Sequence, residues 1–252
     1  MRVKVGESFV AETEDAYERL IRKPGDAPIP EHILRTKPGY PVFWGNPLTG
    51  PIYVEGAMKG DVLAVNIEKI IVDEQGVAGI EHGVGPLHDS TRWPECTGTY
   101  SRIIKHLPGL SGTTRDGKAV FSDKITWDLK PFIGTIGVAP LLEVSSSVTG
   151  QGTFGGNIDC RDIKEGTTLY LNCYNDGGLL YLGDVHGTQA DTELTGVADE
   201  TRAEVTLRCH VIKNKQVSNP RLEKKDSIIT LGSSASLQHS VTTAIPKRYL
   251  VS

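Results

Sequence analysis

The sequence predicts a mainly β fold with minor α, in the form of a β-sandwich or a barrel-like arrangement. Apolar residues recur mostly with period two, as in DVLAVNIEKIIV (61–72). This alternation is typical of strands, because successive side chains point to opposite faces. The chain also contains 28 glycines and 14 prolines. Turn formers at such short intervals favour many short strands over a helical bundle.

One helix is predicted near the N-terminus, over EDAYERLIRK (14–23). Its acidic start and basic end complement the helix dipole, and a Pro-Gly pair follows it. The seven prolines between residues 24 and 51 predict an extended or turning loop, since proline has no amide hydrogen to donate.

A β-hairpin is predicted from TTLYLNCY (167–174) and LLYLGDVH (179–186), which flank the turn sequence NDGG (175–178). On its second strand Leu180, Leu182, Asp184 and His186 share one face. Two ionisable side chains therefore continue an apolar face. Their burial is costly unless they pair with each other, accept hydrogen bonds or bind a metal.

The best candidate for a domain boundary or an active-site loop is the segment SSSVTGQGTFGG (145–156). It divides an N-terminal β-rich half (1–145) from a C-terminal β/α half (146–252) that carries the Asp/His motif. No internal repeat or low-complexity linker separates the halves, so we expect them to pack as one unit.

Composition limits the classes of partner and compartment. The formal net charge of -4 gives no indication of nucleic-acid or anionic-membrane binding, so a small neutral ligand or another protein is the expected partner. The four cysteines match neither a CxxC metal pair nor a secreted disulfide framework, which predicts free thiols. MRVKVGESFV at the start lacks the apolar run of a signal peptide, and no stretch reaches the roughly 18 apolar residues that span a bilayer. We therefore expect a cytoplasmic protein.

The polar stretch GDVHGTQADTELTG (183–196) is the candidate site. Asp184 and His186, two residues apart on one strand, could donate an oxygen and a nitrogen to one divalent ion. They could equally form a structural hydrogen bond, and the spacing leaves both readings open. Asp191 and Glu193 are candidate general bases or solvated loop acids, and Gln189 is a catalytic donor or a loop hydrogen-bonder.

Three further polar residues are candidates elsewhere in the chain. Asn157 and Asp159, in GGNID, alternate onto one face of another predicted strand. Glu55, in GPIYVEGAMKGD, either points into a cleft or lies on the surface beside a turn. The chain contains no GxSxG elbow, no HExxH pair and no P-loop.

The order of several stretches is more specific than any one of them. NPLTGPIYVEGAMKGDVLAVNI (46–67), PFIGTIGVAP (131–140), GGNIDCRDI (155–163) and LYLNCYNDGGLLYLGDVHGTQADTELTG (169–196) closely resemble, in sequence and spacing, the acetamidase/formamidase family. The resemblance runs from about residue 3 to about residue 205. It implies an acetamidase/formamidase-like β fold, hydrolysis of short amides to carboxylate and ammonia, and dependence on a metal, with zinc expected.

The resemblance also assigns candidate roles to single residues. The family's motif of Gly-Asp, then His, then Gln-x-Asp-x-Glu falls on Gly183, Asp184, His186, Gln189, Asp191 and Glu193. Its Asn-Met-Asp motif corresponds to residues 157–159, and its YVEG motif stands intact at residues 53–56.

This sequence departs from the family pattern in three respects. Familiar members carry further polar and acidic residues ahead of the strand that corresponds to MRVKVGESFV. If a metal ligand comes from that segment, this chain has lost it, replaces it with Asp15 or another acid, or performs different chemistry. Asn46 stands where a histidine is often found, and Val185 alters the pocket wall. The substrate therefore does not follow from the family.

These observations predict an amidohydrolase that cleaves a short linear amide with a metal-activated water. The predicted metal ligands are Asp184 and His186, with Asp159 or another acid, and the predicted metal is zinc. Glu193 or Glu55 would carry the proton from water to the departing ammonia, and Asn157 and Gln189 would stabilise the oxyanion.

Two other classes of function stay open. One is a hydrolase of lactams or carbamoyl bonds on the same scaffold, and the other is a non-catalytic β-domain that binds a ligand. Whichever function applies, we expect a homodimer, because exposed strands tend to associate.

Overall fold

The computed structural model describes residues 1–19, 21–23, 26, 46–80, 84–97, 100–142 and 145–245. Within these ranges the chain forms seventeen strands and one α-helix, which confirms a mainly β fold with minor α. The strands are β1 Arg2–Lys4, β2 Ser8–Thr13, β3 Leu48–Glu55, β4 Val62–Val72, β5 Gln75–Ile80, β6 Tyr100–Leu107, β7 Lys118–Val120, β8 Thr126–Asp128, β9 Phe132–Val138, β10 Gln151–Gly152, β11 Gly155–Asn157, β12 Thr168–Asn172, β13 Leu180–His186, β14 Glu200–Thr201, β15 Ala203–Ile212, β16 Arg221–Glu223 and β17 Ile228–Thr230. The helix α1 spans Leu237–Ala244, and three 3₁₀ turns span Pro94–Thr97, Thr114–Asp116 and Asp191–Glu193.

The strand predicted over residues 61–72 is confirmed as β4. Leu63, Val65 and Ile67 alternate into the core, as period two requires. The alternation then moves by one position, so that Ile70 enters the core and Lys69 does not. The register of β4 against β15 is irregular at this point, and such a bulge changes which face the following side chains occupy.

The strands form two sheets. One has eleven strands, in the order β10-β11-β9-β13-β14-β5-β6-β7-β8, with β3 against β13 and β1 against β3. The other has six, in the order β17-β16-β12-β4-β15-β2. The main core joins side chains from both sheets, for example Leu63 and Leu171 from the smaller sheet with Ile136 and Leu182 from the larger one. Each sheet draws strands from both sides of residue 145, and the division there stays a prediction.

The hairpin predicted over residues 167–186 is wrong in its pairing. Both strands exist, but β12 pairs with β4 and β16, whereas β13 belongs to the other sheet. The NDGG turn therefore carries the chain from one sheet to the other. The two strands bury apolar side chains in the same core, and a turn sequence does not tell whether its flanking strands share a sheet.

The helix predicted over residues 14–23 is also wrong within the described residues. Residues 16–19 form a turn, and Glu18 and Arg19 have φ values of 51° and 61°. The carboxylate of Asp15 accepts hydrogen bonds from the backbone amides of Tyr17, at 2.8 Å, and Arg19, at 3.2 Å. An aspartate that captures nearby amides in this way offers the backbone an alternative to the helix.

Most of the proline-rich segment predicted as a loop lies outside the described residues. Its last part is a strand, because residues 48–51 belong to β3. Pro51 lies where the register of β3 against β13 is irregular. Proline is tolerated at such a position because no ladder hydrogen bond is needed there.

The sequence predicts free thiols and no membrane-spanning stretch. Cys96, Cys160, Cys173 and Cys209 are free, as predicted. Among the described residues no helix combines the length and the apolar character that crossing a membrane requires.

Candidate active site

The candidate site lies at the end of β13, where three strands meet. His186 pairs with Phe132 of β9 on one edge and with Glu200 of β14 on the other. Earlier along β13, Gly183 pairs with Leu48 at the start of β3. The site is thus placed where β3 ends its pairing with β13 and β14 takes over.

Asp184 interrupts the predicted alternation of β13. Its φ is 54°, a left-handed conformation that an aspartate adopts more readily than most residues. Leu182 and Val185, on either side of it, both belong to the main core. The single apolar face predicted through residues 180–186 is therefore broken at Asp184. Its side chain leaves that face and lies among polar side chains.

Polar side chains of two neighbouring strands hold Asp184. Oγ1 of Thr135 lies 3.1 Å from Oδ2 of Asp184 and 2.8 Å from Oδ1 of Asn157. The side-chain amide of Asn157 donates to the carbonyl of Val148 at 2.6 Å. All three side chains are buried, so each finds its partners within the protein, as buried polar groups must.

Gly134 makes room for a second carboxylate beside Asp184. A Cβ atom at this position would lie 2.7 Å from Oδ1 of Asp159 and 2.8 Å from Oδ2 of Asp184. The backbone amide of Asp159 donates to the carbonyl of Gly134 at 3.1 Å. The predicted face of Asn157 and Asp159 therefore does approach Asp184, through a residue that has no side chain.

His186 is the centre of the cluster. Its Nδ1 lies 3.0 Å from Oε1 of Gln189, and its Nε2 lies 3.3 Å from Oδ1 of Asp184 and 3.3 Å from Oε2 of Glu200. The ring meets Phe132 edge to face, with centroids 5.0 Å apart. The contacts of both ring nitrogens and the packing of Phe132 together fix the orientation of the imidazole ring.

Two overlapping groups of side chains could hold a metal ion. The first contains Asp159, Asp184 and His186, and the second contains His186, Glu193 and Glu200. In each group, one ligand atom from every member lies within 4.8 Å of the others. The first group is the set of metal ligands predicted from the sequence.

The donor atoms fit a divalent cation. Oδ1 of Asp159 is buried and, within the described part of the chain, accepts no hydrogen bond, and the buried Oε2 of Glu200 has no partner there other than Nε2 of His186. A buried carboxylate oxygen without a donor is costly. Carboxylate oxygens and an imidazole nitrogen are ligands that zinc and related ions take in proteins.

The electrostatics of the cluster show an excess of negative charge. Burial, reinforced by Asp184, raises the pKa of Asp159 to about 6 in spite of the nearby His186. Burial, reinforced by Glu200, raises the pKa of Glu193 to about 8. Burial opposes a charged His186, but the carboxylates of Glu200 and Asp184 outweigh it and raise the imidazole pKa well above its ordinary value. A bound cation would relieve this crowding of like charges.

Glu193 reaches the cluster through a strained turn. Thr192 and Glu193 have φ values of 69° and 41° within Asp191–Glu193, and left-handed geometry costs a non-glycine residue roughly 1–2 kcal/mol. Asp191 instead points outward and pairs with Arg161. Of the two candidate bases in this turn, the structure brings only Glu193 into the cluster.

The structure does not bring Glu55 to this cluster. Glu55 is exposed and pairs with Lys4 at the far end of β3, whereas Leu48 at the near end pairs with Gly183. At roughly 3.3 Å per residue the two ends of β3 are about 23 Å apart. The carboxylate of Asp15 is engaged with backbone amides and belongs to neither ligand group.

The sequence analysis missed Glu200, Thr135 and a buried pair behind them, His106 and Asp199. His106 Nε2 lies 3.1 Å from Oδ2 of Asp199. One signal could have found Glu200: two consecutive acids, DE at 199–200, stand two residues before the alternating strand AEVTLRCHVI (203–212). Thr135 sits in an all-apolar and glycine run, where nothing marks it as a site residue.

Known proteins share this fold. The model of the Acetamidase/Formamidase family matches residues 1–153 and 145–235. The structure of an acetamidase from Bacillus halodurans is similar with a TM-score of 0.81 and 32% identity, over 96% of this chain and 74% of that one. A predicted acetamidase/formamidase from Thermoanaerobacter tengcongensis is similar with a TM-score of 0.81 and 34% identity, over 96% of this chain and 73% of that one.

A Schizosaccharomyces pombe protein named as a putative formamidase is 26% identical over 214 residues, which is 66% of this chain and 52% of the relative. The chain thus spans about half the length of that curated relative. The family match itself extends over nearly the whole of residues 1–235 and includes every residue of the cluster. The chain belongs to the acetamidase/formamidase family.

Proposed function

We propose that the protein is an amidohydrolase that cleaves the C–N bond of a short linear amide and releases a carboxylate and ammonia. The observation that carries this proposal is the crowding of buried carboxylate oxygens at His186: Oδ1 of Asp159 accepts no hydrogen bond among the described residues, and Oε2 of Glu200 has no partner there other than Nε2 of His186. Together with Asp184 and Glu193 they place four carboxyl groups around one imidazole, an arrangement that a binding module for neutral ligands would not need. Membership of the family supports the same reaction class.

Asp184 and His186 are the proposed core of a metal site, with zinc as the expected ion. Asp159 and Glu200 are the two acids available as a third ligand. When bound there, the ion would supply Lewis acidity, which lowers the pKa of a water and polarises an amide carbonyl. Gln189 holds Nδ1 of His186, so the imidazole presents Nε2 to the carboxylates.

Glu193 is the proposed proton carrier, on the strength of its place in the cluster. Burial raises the pKa of Glu193 to about 8, so its ionised form is the minority at neutral pH. In that form its carboxylate takes a proton from the attacking water as the water oxygen bonds to the carbonyl carbon. The carboxylic acid then gives that proton to the amide nitrogen, because an amide nitrogen is a poor leaving group until it is protonated. The C–N bond breaks, ammonia departs, and the carboxylate product keeps the water oxygen.

The two predicted oxyanion donors, Asn157 and Gln189, differ in how many hydrogen bonds their side-chain amides already make. Asn157 accepts from Thr135 and donates to Val148, so we propose that it mainly holds the buried side of Asp184. Gln189 uses its oxygen on His186, which leaves its NH₂ group as a donor for the substrate oxygen.

The test is product release from a panel of substrates by the purified protein. Formamide, acetamide, propionamide and urea are assayed for ammonia, and a five-membered lactam is assayed for the ring-opened amino acid. Asp184→Asn should abolish turnover, whereas Asp176→Asn, in the exposed NDGG turn, should not. Ring opening without ammonia from any amide would support the lactamase alternative, and no turnover of any compound would contradict the proposal.

We also propose that the substrate is small and uncharged and that the protein is a homodimer. The described surface exposes large apolar side chains, among them Leu142 and Leu237, which favours self-association. Sedimentation of a single monomeric species at micromolar concentration would contradict the dimer.

A further inference from the structure

A buried histidine–aspartate pair lies behind the cluster and outside the two ligand groups. Nε2 of His106, on β6, lies 3.2 and 3.1 Å from the two carboxylate oxygens of Asp199. Nδ1 of His106 lies 2.7 Å from the carbonyl of Asp73. Both side chains are 2% exposed, so His106 is held at both nitrogens and aims one of them at Asp199.

Asp199 connects this pair to the cluster through the backbone. Its carbonyl accepts from the amide of Gly187 at 2.8 Å, and its amide donates to the carbonyl of Thr188 at 3.1 Å. These bonds join the start of β14 to the residues that directly follow His186. Glu200, the next residue, directs its carboxylate to His186. Asp199 directly precedes Glu200, the first residue of β14, so anchoring Asp199 limits the positions that the backbone of Glu200 can take.

The surrounding chain is built to leave space for the pair. A Cβ atom at Gly76 would lie 2.0 Å from Oδ1 of Asp199 and 3.0 Å from the ring of His106. A Cβ atom at Gly187 would lie 2.7 Å from Oδ2 of Asp199. Neither glycine has a positive φ. Glycine is therefore required at these two positions because any side chain there would collide with the pair.

A buried ion pair is a weak means of stabilising a fold, because the desolvation of both groups offsets their attraction. The pair needs a further explanation, and its connections supply one. We propose that His106 is a positioning residue, which through Asp199 fixes the backbone of β14 and thereby holds the Glu200 carboxylate against His186. The inference rests on the proposed function in one respect, since it assigns the positioned carboxylate to a metal site.

The test compares two substitutions at His106. His106→Leu removes both ring nitrogens at similar volume, and His106→Gln keeps an N–H donor for Asp199. We expect His106→Leu to lower zinc affinity, measured by competition with a chromophoric chelator, by about 10–100-fold. It should also lower kcat for amide hydrolysis with little change in KM, and His106→Gln should recover most of both losses.

Two further variants distinguish a specific effect on zinc binding from a general loss of stability. Gly76→Ala crowds Asp199, whereas Gly79→Ala, on the same strand, crowds only the backbone of Tyr100, at 2.6 Å. Both should lower the melting temperature, but only Gly76→Ala should weaken zinc binding. Equal zinc affinities for the two alanine variants, or a His106→Leu protein that loses only thermal stability, would overturn the inference.

The ring proton signals of His186 in the NMR spectrum separate this inference from the proposed function. In metal-free protein they should shift in His106→Leu and Gly76→Ala and stay in place in Gly79→Ala. If the wild-type protein binds no zinc and hydrolyses no amide, the proposed function fails, yet the shift pattern still decides whether His106 positions the cluster. Unchanged His186 signals in His106→Leu would contradict the positioning role, whether or not the proposed function holds.

Discussion

Glu200 and His186 face each other across the ladder between β13 and β14, with Oε2 of the glutamate 3.3 Å from Nε2 of the imidazole. Both residues are buried, and that glutamate oxygen has no other polar partner among the described residues. Fourteen positions separate them in the chain, so strand pairing rather than local spacing creates the contact. This contact completes the second of the two ligand groups and motivates the first prediction.

Glu200→Gln should separate metal binding from stability. The substitution keeps the side-chain shape but removes one of the four crowded carboxyl groups, so we expect zinc affinity to fall at least about tenfold. The metal-free protein should melt at the same temperature or higher, because like charges no longer repel each other. Glu204→Gln, at an exposed position of β15, is the matched control. Unchanged zinc affinity in Glu200→Gln would remove Glu200 from the site.

Glu193→Gln should block proton transfer and leave the metal site occupied. The amide cannot accept a proton from water, so kcat should fall by about 10²–10⁴. Zinc content, measured by elemental analysis, should stay at the wild-type level. Asp191→Asn, which changes the outward acid of the same turn, should keep most of the activity. A Glu193→Gln enzyme with wild-type kcat would assign the proton transfer to another group.

Thr192→Gly should stabilise the protein. Thr192 has a φ of 69°, a conformation that costs a β-branched residue about 1–2 kcal/mol and glycine very little. After the greater backbone entropy that glycine loses, the expected net gain is up to about 1 kcal/mol in unfolding free energy. Thr188→Gly, where no positive φ occurs, should cost stability instead. Urea denaturation of both variants decides the sign, and a destabilised Thr192→Gly would show that the turn is not strained.

Asp61 should stabilise the protein above its unfolded pKa and not below it. Lys213, and then the amide of Asn214, hold the pKa of the buried Asp61 carboxyl below its ordinary value of 3.8. The stabilisation is therefore complete at neutral pH and is lost as pH falls through the folded pKa. Asp61→Asn should cost about 2 kcal/mol at pH 7. In urea melts the difference should shrink below about pH 4, and a constant difference down to pH 3 would contradict this role.

Period-two patterns located the strands but not their partners. The alternation in residues 61–72 predicts β4 well, because a buried strand needs apolar side chains whichever strand lies beside it. The NDGG turn predicts a hairpin, yet its flanking strands β12 and β13 enter different sheets. Turn chemistry specifies how the backbone reverses, and the pairing of each strand is decided by long-range contacts. The predicted helix failed because Asp15 captures amides that the helix would use.

The polar stretch at 183–196 predicts part of the site for a similar reason. Asp184, His186 and Glu193 are near one another in the chain, and Asp159 joins them across Gly134. Glu200 reaches them by strand pairing and is marked locally only by the DE pair at 199–200, and His106 lies on β6 without any local signal. Glu55 carries a strong local motif, but no local pattern tells which end of β3 lies beside the cluster.

The most direct test of the central claim is ammonia release from acetamide and formamide before chelation, after chelation, and after zinc is returned. The account predicts release by the untreated enzyme, loss of release when the metal is removed, and recovery with about one equivalent of zinc or a similar divalent ion. Release that continues unchanged in fully metal-free protein would contradict the metal-dependent amidohydrolase, and the cluster around His186 would then need another explanation.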